Sequence, residues 1–154
     1  EFIADGGRNV LPGSAILKGD ARALSPEINT TIEARMHELV AGTCDAHGVT
    51  GAVTYETIFA PTINDADAVA AVAAAGTAAL GAANVDTSCF PKLFSEDFAH
   101  MAMARPGCFL LMGNGTKGAH ARPLHASDYD FNDAGLVPGA DVWVHLVQDV
   151  LRAD

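Results

Sequence analysis

Positive charge is scarce in this chain: nine Lys and Arg stand against 19 Asp and Glu, for a formal charge of −10. The cations are scattered singly, and neutralising phosphates requires them in clusters, which argues against a nucleic-acid or anionic-membrane surface. Small molecules or protein are the expected partners. Cysteine is equally sparse. Cys44, Cys89 and Cys108 are odd in number and share no CxxC spacing, which argues against a disulfide framework or a thiolate zinc cage and fits a reducing, cytoplasmic compartment. No apolar run approaches membrane-spanning length, since the alanine-rich residues 66–83 carry Asp67 and two glycines. An initiating Met and a signal peptide are both lacking, and residues 1–4 read as the middle of a strand rather than a natural beginning.

With 154 residues, 49% hydrophobic and 18% charged, the balance is that of a globular protein of one domain or two small pieces. Residues 2–4 read as a strand, Asp5-Gly6-Gly7 as a turn, and residues 15–24 as a second strand. In that second strand Ile16, Lys18, Asp20 and Arg22 oppose Ala15, Leu17, Gly19 and Ala21, so the two form a hairpin. Ser25-Pro26-Glu27 starts a helix, with a hydroxyl cap, Pro at the first position and an acid at the positive end of the dipole. Ile28, Ile32, Met36, Val40 and Cys44 then recur every four residues, laying one apolar stripe along a helix that stops near Gly48. Residues 51–58 read as a third strand. Strand, strand, helix, strand is the order of a ferredoxin-like βαββαβ fold without its first strand and first helix.

Composition shifts after Ala60-Pro61, which divides the chain into residues 1–60 and 61–154. Asn64 or Asp65 can cap an alanine-rich helix that Gly81 ends. A short strand is expected near residues 84–86, then a loop through Cys89-Phe90-Pro91. Ser95 is placed to cap a short helix to about Ala104, with Glu96 and Asp97 in its first turn, before Arg105-Pro106-Gly107 breaks it. The unbroken apolar run 108–112 predicts a strand buried on both faces of an α/β sheet. Residues 141–152 predict a closing helix with Val142, Leu146 and Val150 on one face. Two apparent motifs fail on context. Residues 113–118 satisfy GxGxxG but open no helix, and Asp128-x-Asp130-x-Asn132 begins like an EF-hand yet lacks its later Gly and bidentate Glu.

The chain resembles the C-terminal portion of the zinc aminoacylase and carboxypeptidase metallopeptidase family, most closely its hippurate hydrolase and N-acyl-amino-acid amidohydrolase branch. The resemblance runs through Asn9-Val10-Leu11-Pro12, Gly19-Asp20-Ala21-Arg22, Ser95-Glu96-Asp97-Phe98-Ala99, Arg105-Pro106-Gly107-Cys108, Gly113-Asn114-Gly115, and Leu124-His125 before Tyr129-Asp130-Phe131-Asn132-Asp133. Each motif alone is weak; in this order and spacing they are specific. The resemblance implies an α/β catalytic domain interrupted by a ferredoxin-like lid that also makes a homodimer contact. Residues 1–60 would be most of the lid and 61–154 the returning part of the catalytic domain. The general-base Glu and the other metal ligands would precede Glu1, in a missing N-terminal half.

Within this frame His125 matches the last metal ligand; a neutral imidazole is a common zinc ligand, and a loop after a buried strand can present it. The plainer reading is a surface histidine. Asn9 and Arg22 match residues that bind the substrate carboxylate, a role that an amide donor and a guanidinium fork suit. Against it, Asn9 can serve a turn and Arg22 an exposed ion pair. Ser95, Glu96 and Asp97 correspond to a loop orienting groups at the metal and substrate, or they are helix capping alone. Phe94 stands where the family usually carries a small residue, implying a reshaped pocket. His37, His47, His100 and His145 read as ordinary helix residues.

The implied activity is amide hydrolysis of an N-acyl amino acid or small peptide, dependent on a divalent metal, zinc or else manganese or cobalt. No catalytic base is expected in this chain. The alternatives are a non-catalytic interaction or dimerisation module, or an inactive fragment. In either case an isolated chain is expected to need a partner chain, or other copies, to cover exposed sheet edges.

Overall fold

The computed structural model describes residues 1–151, and it divides them into two compact units, Glu1–Pro61 with Lys92–Ser95, and Thr62–Pro91 with residues from Glu96 onward. Helices dominate beside one small sheet, so the architecture is a mixed α/β one.

In the first unit β1 (Phe2–Ala4) and β2 (Ala15–Leu17) pair antiparallel, with Ile3 opposite Ile16. The hairpin is real but its second strand is short: the alternation expected to carry it to residue 24 ends at Leu17. Beyond Lys18 no neighbouring backbone continues the ladder, and Lys18 N–H closes it on the Glu1 carbonyl at 2.8 Å. The helix α1 (Pro26–His47) begins as the sequence dictates. Ser25 is extended and its hydroxyl accepts from Ile28 N–H at 3.2 Å, while Gly48 ends the helix at φ 63°, a left-handed conformation favouring glycine.

Residues 51–58 are not a strand. They run extended along α1, with Gly51 over Cys44 and Val40 and Tyr55 Oη donating to Asn29 Oδ1 at 2.7 Å. Asn29 Nδ2 in turn donates to Thr57 Oγ1 at 2.9 Å. The run therefore lies antiparallel to the helix axis on the predicted apolar stripe, and it lacks strand status because no second backbone offers it a ladder. No residue of this unit is buried among those described.

The second unit is built on α2 (Ala66–Leu80) packed against α4 (Leu136–Val150). Asp65 caps α2, its carboxylate accepting from Asp67 and Ala68 N–H. Ala75 and Gly76 are buried on α2 and Val142 on α4, and a Cβ at Gly76 would lie 3.3 Å from Val85. The expected strand near residues 84–86 is instead a single 3-10 turn, Ala82–Asn84, in which Asn84 Nδ2 caps the Leu80 carbonyl at 2.8 Å. Helix α4 starts earlier than residue 141, because Pro138 falls in its first turn, where no backbone N–H is needed. Gly135 and Gly139 leave room for Met112 there. Val142 is buried and Leu146 half-buried as the periodicity requires, but Val150 is exposed, and Arg152 lies outside the described residues.

The run 108–112 is likewise not a strand. Its partner is a side chain: Asn64 donates to the Phe109 carbonyl at 3.0 Å and accepts from Phe109 N–H at 2.8 Å. Phe109 also packs on Phe98 of α3 (Phe98–Ala104), ring centroids 5.5 Å apart.

Candidate functional site

His125 occupies a tight turn in the second unit. Ala126 N–H donates to the Pro123 carbonyl at 3.2 Å, and His125 takes φ 69°, the one non-glycine residue with positive φ among those described. That places it third in a turn of the type II kind, a position that ordinarily selects glycine. A left-handed backbone at a non-glycine residue costs about 1 kcal/mol or more and clusters at sites where a side chain must be aimed. The imidazole is exposed and has no hydrogen-bond partner among the described residues. Both ring nitrogens are thus open to a ligand. A second turn follows, with Tyr129 N–H on the Ala126 carbonyl at 3.1 Å, and an Arg122–Asp128 ion pair of 3.0 Å spans the His125 position.

The base of this loop is closed by two asparagines that sequence reasoning passed over. Asn114 Oδ1 accepts from Asn132 N–H at 2.8 Å, and Asn132 Nδ2 donates to the Asn114 carbonyl at 3.0 Å. Asn114 Nδ2 spends its two hydrogens on the carbonyls of His120 at 3.1 Å and Asp130 at 2.8 Å. The signal was present in the sequence, because both residues sit inside motifs, but nothing in the spacing says that the motifs meet. A cavity of about 60 Å³ lies at this junction, lined by Asn114, Tyr129, Phe131 and Asn132 among others. That is far below the volume of about 300 Å³ at which small-molecule pockets begin.

The first unit holds the two candidate carboxylate binders. Asn9 is the third residue of the turn that Gly7 and Val10 close with hydrogen bonds of 3.1 and 3.2 Å, and its side chain is exposed. Arg22 is already engaged: Nε donates to Asp20 Oδ2 at 2.8 Å and an Nη to the Leu93 carbonyl at 2.7 Å. No hydrogen bond joins Asn9 to Arg22 among the described residues.

Ser95 does not cap α3. The cap position is Asp97, whose backbone is helical (φ −72°, ψ −17°) and whose side chain makes no capping hydrogen bond, and the Glu96 and Asp97 carbonyls take the first N–H groups at 3.4 and 3.0 Å. Glu96 and Asp97 therefore spend no carboxylate on capping. The division between the two units falls between Ser95 and Glu96.

All three cysteines are free, and burial pushes the Cys108 thiol up from its ordinary pKa. No helix among the described residues is long and apolar enough to cross a membrane. Nor do any three His, Cys, Asp or Glu among them gather as a metal centre. His125 fits as one ligand of a set; these residues do not compose that set by themselves, and no chemical step can be derived through a metal here.

The family model for Peptidase family M20/M25/M40 matches residues 6–149. The chain is also similar to the putative amidohydrolase YhaA of Bacillus subtilis (strain 168), 25% identical over 142 residues. That alignment covers 92% of this chain and 36% of the relative, so the chain spans about a third of the length of the curated relative it matches. No solved structure matches.

Proposed function

Because the chain belongs to Peptidase family M20/M25/M40, we propose that it is the C-terminal portion of a metal-dependent amidohydrolase cleaving the amide bond of N-acyl amino acids or small peptides. The observation that carries the reading is the family match over nearly the whole chain; the aimed, partner-free imidazole at His125 supports it from the structure. His125 supplies one ligand to a divalent metal, zinc first and manganese or cobalt as alternatives. When bound, such an ion polarises the acyl carbonyl and lowers the pKa of the attacking water.

Asn9 and Arg22 hold the substrate carboxylate, Arg22 exchanging its internal partner Asp20 for the substrate. Glu96 and Asp97, with Ser95, orient groups around the site. The general base and remaining ligands belong to sequence outside this chain. Residues 1–60 act as most of a ferredoxin-like lid that pairs two copies, and residues 61–154 complete the catalytic domain, in a cytoplasmic enzyme.

The alternative is an interaction module without catalysis. It draws support from the first unit, where Phe2, Val10, Leu11 and Leu17 are all at least 60% exposed.

The test is hydrolysis of N-acetyl amino acids by the full-length polypeptide, with and without a chelator. Expected are chelator-sensitive turnover and an Arg22→Ala variant whose KM rises at least about tenfold for free acids but not for C-terminal amides. Equal loss on both substrates contradicts the carboxylate role, and no turnover in metal-loaded protein favours the module.

A further inference from the structure

We propose that Asn114 and Asn132 form a positioning clasp that sets how tightly the loop between them, through His125, holds a metal ion. The inference rests on the reading of His125 as a ligand and goes beyond it, since neither asparagine touches the imidazole.

The loop between the two asparagines leaves and re-enters at one point, where four hydrogen bonds pass through their carboxamides and His120 Nδ1 adds a longer contact of 3.3 Å to the Asp130 carbonyl. Asn114 uses its oxygen on Asn132 N–H and its two N–H groups on the carbonyls of His120 and Asp130. Asn132 answers with Nδ2 on the Asn114 carbonyl, and its Oδ1 accepts from Ala134 N–H at 3.2 Å, which ties the clasp to the start of α4. Gly115 lets the chain pass close to His120: a Cβ there would lie 3.0 Å from His120 Cβ.

The loop contains no α-helix or strand, so its shape depends on its ends, the Arg122–Asp128 and His120–Asp130 pairs, the 3-10 turn Gly118–Ala121 and the two turns around His125. His125 sits at a positive φ that is uncommon for a residue other than glycine, so its placement is sensitive to how firmly the ends of the loop are held. A ligand whose backbone must be reset on binding has lower affinity, by the fraction of time it is correctly placed.

Asn114→Asp is the sharp variant. It keeps size and the acceptor but loses both donors, leaving the His120 carbonyl without this partner and the Asp130 carbonyl with only the longer His120 Nδ1 contact of 3.3 Å. In the full-length polypeptide, Zn²⁺ affinity measured by competition with a fluorescent chelator should fall about ten- to a hundredfold, the usual effect of removing a group that orients a ligand. Turnover at limiting zinc should fall with it and return in excess zinc, a rescue that a merely structural lesion would not give. Asn132→Asp, which loses one donor only, should show a smaller loss in the same direction and decides the matter if Asn114→Asp does not fold.

Asn84→Asp is the control, since it loses a comparable helix-end bond to Leu80 away from the loop. Undiminished zinc affinity in the folded clasp variants, or an equal loss in Asn84→Asp, overturns the clasp. His125→Ala run in parallel separates the two ideas. If it weakens zinc binding and the clasp variants do not, the clasp alone fails; if it leaves zinc binding intact, the ligand reading fails.

Discussion

The Asn64 carboxamide is joined to Phe109 by a reciprocal pair of hydrogen bonds, 3.0 Å to its carbonyl and 2.8 Å from its N–H, the pattern by which a neighbouring strand would hold that residue. A side chain thus stands in for a strand, and with Asp65 N–H on the Gly107 carbonyl at 2.9 Å it pins the 107–109 run to the entry of α2.

Asn64→Ala should therefore destabilise the second unit by about 1–3 kcal/mol, since the Asn64 bonds to both Phe109 backbone groups are lost. Asn64→Asp keeps the acceptor and should cost less. Chemical denaturation of the two variants checks the order, and equal losses would contradict it.

Gly51→Ala probes the first unit. A Cβ at residue 51 would run into Cys44 Sγ and lie 3.2 Å from Val40 Cγ1, so the segment must lift from α1 at a cost of about 1–3 kcal/mol. Cys44→Ala removes the obstacle, and the double variant should recover most of the loss. Strict additivity would mean that the segment does not lie on α1.

At the start of α1, Ser25→Ala should cost about 1 kcal/mol through the lost cap. The Glu27 carboxyl is held below its ordinary pKa by its own backbone N–H first and the Ser25 hydroxyl second. A pKa lowered by folding means that the unfolded chain binds the proton more readily. This contribution is complete above the ordinary carboxylate range and fades as pH falls through the lower, folded pKa. Carboxyl titration by NMR should show Glu27 moving up toward its ordinary value in Ser25→Ala; an unmoved Glu27 would contradict the cap geometry.

Thiol reactivity offers a check on burial. Cys89 is exposed, whereas Cys108 is half-buried with its pKa pushed up by desolvation. Since the thiolate is the nucleophile, iodoacetamide near neutral pH should label Cys89 first and Cys108 later. Labelling of Cys108 ahead of Cys89 would contradict this placement.

The elements that could be read from sequence were those whose cause is local. Ser25-Pro26, the four-residue stripe of α1, Gly48, Asp65 and Gly81 act within a turn or two of themselves, and α1 and α2 form between them as expected. Elements that depend on a distant partner could not be read. Residues 51–58 and 108–112 have strand composition, but a strand also needs a backbone beside it, and composition is silent on whether one arrives. Ser95 failed differently, because the helix began two residues later than its capping chemistry suggested. His125 was singled out through its motif, whereas its backbone conformation could not be read from the motif and the Asn114–Asn132 closure arises from contacts between separate motifs.

The most direct test of the account is the zinc content and N-acetyl amino acid turnover of the full-length polypeptide carrying His125→Ala. The account predicts folded protein in which zinc affinity and turnover both fall by at least about tenfold. Full zinc occupancy at wild-type affinity with undiminished turnover would contradict it.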